Sequence, residues 1–207
     1  MKVRIILLSS LFIVPIYSQR FTLGVGGGIN LLNDGSWANA EEVLQSYWHN
    51  GVNLNLSGEY FLSPNVSLNS IAEYGYYKFD RYSETGPHIP EEWITSSSGE
   101  DSRAIRFFEE VKLYSNVTKS LQYFLATGAG YVYEKLGTIT VEYYDLNFGR
   151  STGQLRFEGL HNFVHTVEMG ARIKLMSKAA ADISISYYSN YKNILNTKTQ
   201  IGFSYLF

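Results

Sequence analysis

The residues with most to offer chemistry are charged ones placed at alternate positions in largely apolar stretches. Glu59, Glu73, Glu110, Lys112, Glu168, Arg172 and Lys174 all follow this pattern. In an extended strand alternate side chains share a face, so these seven would point away from the apolar set. Charges withdrawn from water must pair, and acids and bases on facing strands would form salt bridges across an interior. A nucleophile is also conceivable at Ser189, which Asn190 follows. The residue two before it is Tyr187, and a phenol with a pKa of about 10 cannot act as the base that activates a serine. His161 and His165 are four apart. On a strand they would share the outward face about 13 Å apart, too far to share a metal ion. His49 and His88 have no evident Ser or Asp partner. No catalytic residue, cofactor site or metal site is therefore expected.

The elements that must position these charges are strands. Phe21–Leu31 alternates Phe, Leu, Val, Gly, Ile and Leu with Thr, Gly and Asn. Its inner face is nearly bare, as a narrow interior requires. The same period of two runs through 51–62, 66–79, 103–117, 121–134, 161–175, 182–191 and 196–207. Each segment has about the 9 to 11 residues that cross a bilayer at a barrel tilt, or more. Pro64-Asn65, Thr118–Ser120 and Met176–Ala181 are short turns. Long connections occupy 32–50, 80–102 and 137–160. The first carries Trp37 and Trp48, and one helical turn is expected within Glu41–Tyr47. The second is acidic, with Asp80, Glu84, Glu91, Glu92, Glu100 and Asp101 against Arg81 and Arg103; it is read as a solvated loop. The third is strand-like. Thr138–Val141 and Gln154–Phe157 would flank a turn at Gly149–Gly153, extending strands five and six beyond the membrane as a protruding hairpin with edges open to a partner strand. One residue breaks the pattern: Glu109 falls on the apolar face of its strand. It is tolerable near the outer interface, or where a bulge turns it inward.

The 207 residues carry 17 basic and 19 acidic side chains, net charge −2, and no cysteine. That balance gives no reason to expect nucleic acid as a partner, and the absence of cysteine excludes disulfides. Residues 1–18 read as a secretory signal: Lys2 and Arg4, an apolar run from Ile5 to Ile16, then small Ser18. Residues 19–207 form one domain. Gly24-Val25-Gly26-Gly27-Gly28 is not a dinucleotide fingerprint, because no helix follows.

Short and long connections alternating between eight strands predict an all-β fold: an eight-stranded antiparallel up-and-down transmembrane β-barrel with long extracellular loops and short periplasmic turns. A soluble barrel would invert the faces. Eight strands leave an interior that side chains can fill, so a static polar plug is favoured over a gate.

The leader, the eight alternating strands, the Gly-rich Thr22–Gly28 and the terminal IGFSYLF resemble the small outer-membrane β-barrel superfamily of the outer-membrane protein A and X type, barrel domain only. The resemblance spans the mature chain. It implies outer-membrane lipid and lipopolysaccharide as surroundings. It also implies an assembly signal on Phe203, Tyr205 and Phe207, read by the barrel-assembly machinery. Ser189-Asn190 is faintly similar to the end of outer-membrane lipid A deacylases, which carry a His where Tyr187 stands. The expected function is non-enzymatic, structural or adhesive through extracellular loops. A narrow channel for ions or small solutes is the alternative, and a degenerate lipid A-modifying barrel a second.

Overall fold

The computed structural model describes residues 21–32, 50–79, 94–116, 120–145, 149–156, 159–189 and 194–207. The leader, the helical turn expected at Glu41–Tyr47 and most of the acidic second loop lie outside them.

Eight strands close a barrel: β1 (Phe21–Leu32), β2 (Gly51–Ser63), β3 (Val66–Tyr77), β5 (Ser102–Asn116), β6 (Leu121–Lys135), β9 (Leu160–Lys174), β10 (Ala179–Ser189) and β11 (Ile194–Leu206). Every neighbouring pair is antiparallel, and β1 closes on β11 from Thr22↔Leu206 to Leu32↔Asn196. Closure leaves no barrel strand with an unpaired edge, which a hydrocarbon medium requires. The expected eight strands are all present. β10 starts at Ala179 rather than Asp182, because Ala179–Ala181 already pair with Tyr205–Phe203 of the last strand. Three alanines offer no alternation from which to read a strand.

The third connection departs from expectation. β6 ends at Lys135, and Leu136–Thr138 break from the barrel. β7 (Ile139–Asp145) and β8 (Gly149–Leu155) then pair with each other and, through β7, with β4 (Ile94–Gly99) in a separate three-stranded sheet. The hairpin is thus part of a second sheet, not an extension of β6 and β9. Its reversal falls before Gly149 rather than within Gly149–Gly153. Gly149 takes φ = 74°, a left-handed conformation that glycine adopts freely, and its pairing with Asp145 starts the ladder. β4 reads Ile-Thr-Ser-Ser-Ser-Gly, too polar and unpatterned to announce itself. It is a strand because β7 offers a ladder to pair with.

Alternation sorts the barrel residues as the sequence implies. Outward side chains such as Leu54, Leu56, Phe107, Leu125, Ile183 and Phe203 are exposed, while Glu73, Arg106, Glu168 and Lys198 are buried. Aromatic groups gather at both ends of the exterior: Tyr205 against Phe207 at one, and Tyr131, Tyr133, His161 and Phe163 at the other. Aromatic girdles of this kind mark bilayer interfaces.

No bulge turns Glu109 inward: it is the middle residue of the 15 in β5, and its ladder with β3 and β6 runs without a register shift. It faces outward, where Ser70 Oγ donates a hydrogen bond to its Oε2 at 2.8 Å.

Candidate functional site

The interior of the barrel is a sequence of ion-pair clusters, each drawn from several strands. Toward the loop end, Arg106 of β5 reaches Glu73 Oε1 at 2.8 Å and Glu134 Oε1 at 3.2 Å. Its guanidinium also donates to Tyr77 and lies over the Tyr188 ring. Lys198 of β11 takes the other oxygen of Glu73 at 2.6 Å. Ile71, Phe108, Val132, Val164 and Tyr188 form an apolar cluster among these charges, with Phe108 stacked on Tyr188 at 4.8 Å.

At mid-barrel Lys112 lies 3.3 Å from Glu168, whose second oxygen accepts from Gln200 Nε2 at 2.8 Å. Glu110 accepts from Thr166 Oγ1 at 2.8 Å. At the turn end Arg172 holds Asp182 with two parallel hydrogen bonds of 2.7 Å and Glu59 at 2.8 Å. Ser67 and Tyr114 donate to the other oxygen of Glu59. A planar guanidinium suits this fork geometry.

Six of the seven charges expected inside are there and buried: Glu59, Glu73, Glu110, Lys112, Glu168 and Arg172. Lys174 is not one of the network. It is exposed at the mouth, where β9 leaves the barrel and water is available. The central partners that sequence reading left out of the network are Arg106, Lys198, Glu134 and Asp182. All four lie on the inward parity of their strands, so alternation alone identifies them. Their pairing requires the closed barrel, because Lys198 and Glu73 are 125 residues apart.

The mid-lumen cavity, bordered by Asn55, Asn69, Lys112, Glu168 and Gln200, is about 40 Å³, near the volume of a water molecule. A larger hollow of about 390 Å³ opens at the turn end beside Arg172, Lys174 and Lys178.

The other candidates do not assemble. The ladder sets Ser189 opposite His165, a pairing that sequence spacing does not reveal. No hydrogen bond joins them, and the nearest outward carboxylate on that row, Glu109, is engaged by Ser70. A nucleophile, base and orienting acid are not linked. His161 Nδ1 bonds the Tyr131 hydroxyl, and no cluster of potential metal ligands occurs among the described residues. Of the acidic second loop, Asp101 is occupied structurally. It accepts from the Tyr76 hydroxyl and from the Phe79 N–H, and the Tyr76 bond holds its carboxyl below the ordinary aspartate range.

In the three-stranded sheet, Glu142 of β7 accepts from Arg150 of β8 at 2.6 Å and from Ser96 of β4 at 2.9 Å. These bonds, that to Arg150 foremost, hold its carboxyl below the usual glutamate range. The contact therefore stabilises the sheet above the ordinary glutamate pKa and is lost as pH falls through the lowered value. Amide protection factors in β7 and β8, corrected for the intrinsic pH dependence of exchange, are expected to fall on acidification while those of the barrel amides hold, and Glu142→Gln should flatten that dependence. A barrel and sheet that loosen together would contradict it.

A closed antiparallel barrel with an apolar exterior, aromatic girdles and a charged interior is the fold of the small eight-stranded transmembrane β-barrels. No protein-family model and no curated relative matches the sequence. Solved structures of this fold do match. Ail, the attachment invasion locus protein of Yersinia pestis, solved with the heparin analogue sucrose octasulfate, aligns at TM-score 0.52 and 13% identity over 92% of this chain and 100% of Ail. Neisserial surface protein A aligns at 0.50 and 13% over 90% and 96%. The outer membrane protein OprG from Pseudomonas aeruginosa aligns at 0.50 and 12% over 91% and 97%.

Proposed function

We propose that this chain is a non-enzymatic outer-membrane protein, exported by residues 1–18, that acts by interaction through its loop-end surface rather than by transport. The filled lumen carries this reading. Moving a solute through it would require breaking ion pairs from several strands at once, and the cavity among the mid-lumen charges is only about 40 Å³. The sheet formed by β4, β7 and β8 is the surface offered at the loop end. Lipopolysaccharide and outer-membrane lipid are its surroundings, and Phe203, Tyr205 and Phe207 are read as the signal for the assembly machinery. Likeness to a protein named for attachment and invasion is compatible with this role.

Planar-bilayer recording of the purified, heat-modifiable barrel tests the reading. Long records without resolved openings are expected. Reproducible unitary currents would favour the narrow-channel alternative.

A further inference from the structure

Glu109 shares its level on the barrel exterior with other polar side chains. The ladder row through it runs Gly58, Ser70, Glu109, Ala129, His165 and Ser189. The next outward row toward the loops is Phe107, Tyr131 and Phe163, the inner edge of the aromatic girdle. Two residues separate the rows, about 7 Å along a strand and less in depth because barrel strands tilt. An ionisable side chain facing lipid is costly at the midplane and tolerable near an interface. It marks a functional position by default.

Around Glu109 the barrel wall is hollowed. Gly58, Ser70 and Ala129 are small, and with Leu56, Phe107 and Tyr131 they line an outward-facing groove of about 780 Å³. The groove therefore joins the girdle to the apolar wall beneath it. Ser70 Oγ donates to Glu109 Oε2 at 2.8 Å, while Oε1 accepts from no described residue. A carboxyl oxygen accepts hydrogen bonds whether or not the group carries a proton. The groove thus sets an unanswered acceptor, just inside the interface, beside space for hydrocarbon. An unsubstituted acyl chain fills the space but supplies no donor. A 3-hydroxyacyl chain answers both: its hydroxyl lies close to the headgroup and its tail continues into the bilayer. Hydroxylated chains of this kind belong to lipopolysaccharide, and the girdle in question is the one at the loop end.

We propose that the groove at Glu109 is a binding site for a 3-hydroxyacyl chain of an outer-leaflet glycolipid, with the chain's hydroxyl donating to Glu109 Oε1 and its tail lying along Leu56 and Phe107. The site rests on the outer-membrane reading above and adds to it a specific lipid contact on the barrel wall, separate from the loop-end surface.

The test compares two lipids that differ only in the hydroxyl: a diacylated glucosamine phosphate with 3-hydroxytetradecanoyl chains, and its counterpart with plain tetradecanoyl chains. Each is added to the purified full chain in mild detergent, and lipid retained by the folded protein is counted by native mass spectrometry. The unaltered protein is expected to retain the hydroxylated lipid about tenfold better, the scale of one hydrogen bond in an apolar setting. Glu109→Leu should retain the two lipids equally. Glu109→Gln, whose side-chain carbonyl still accepts, should keep the preference. Ala129→Leu, which fills the groove, should lower retention of both severalfold. Only heat-modifiable, folded material is scored. Equal retention by the unaltered protein, a preference that survives Glu109→Leu, or retention indifferent to Ala129→Leu would each overturn the proposal and leave the outer-membrane reading standing. A chain that stays folded without detergent and retains neither lipid would overturn both.

Discussion

Replacing Arg106 with leucine is expected to destabilise the folded barrel by about 3–5 kcal/mol, the range for removing one member of a buried charge cluster. Arg106 is 1% exposed and answers two carboxylates and a phenol at once. Its loss leaves Glu134 with no cation within ion-pair distance and Glu73 with Lys198 alone. The cost comes from stranded acids rather than from the missing attraction, and a second change that neutralises an acid should recover part of it. Arg106→Leu with Glu134→Gln is therefore expected to be more stable than Arg106→Leu alone. Urea unfolding of the detergent-solubilised barrel, followed by tryptophan and tyrosine fluorescence, measures both. A loss below about 1 kcal/mol for the single variant would mean that water reaches the cluster and screens it.

Deleting Phe207 is expected to lower the amount of folded protein in the outer membrane severely, with a much smaller effect on the barrel once folded. The structural role of Phe207 is modest. Its N–H donates to Phe21 O at 3.0 Å, one further bond at the β1–β11 seam, and its ring meets Tyr205 at 5.1 Å. Eleven residue pairs from Thr22↔Leu206 to Leu32↔Asn196 hold that seam without it. A strong defect in cells beside near-normal refolding in detergent would thus point to recognition during assembly. Normal membrane levels of the deletion would count against an assembly signal at this end.

The residues themselves show how far local pattern reaches. In β2, Asn53, Asn55 and Glu59 turn inward and Val52, Leu54 and Leu56 outward, as their alternation demands. A strand has only two faces, so a period of two assigns each side chain without knowledge of its neighbours. Repeated through eight segments separated by short and long connections, that local rule yields strand number, order and the distinction between lumen and lipid. Six of the seven charges expected inside follow from it, and so do the inward parities of Arg106 and Lys198. Lys174 departs because parity does not say where a strand leaves the barrel.

Partnership is not local, and the tertiary structure alone decided it. That Glu73 divides its oxygens between Arg106 and Lys198 depends on how far each strand slides against the next before the sheet closes. β4 is a strand only because β7 lies beside it. The surroundings of Glu109 have the same origin: its outward parity is written in β5, but its place on an unbulged ladder, with Ser70 one strand away, is set by the registers of β3, β5 and β6. Alternation says which way a side chain points; closure of the barrel says what it meets there.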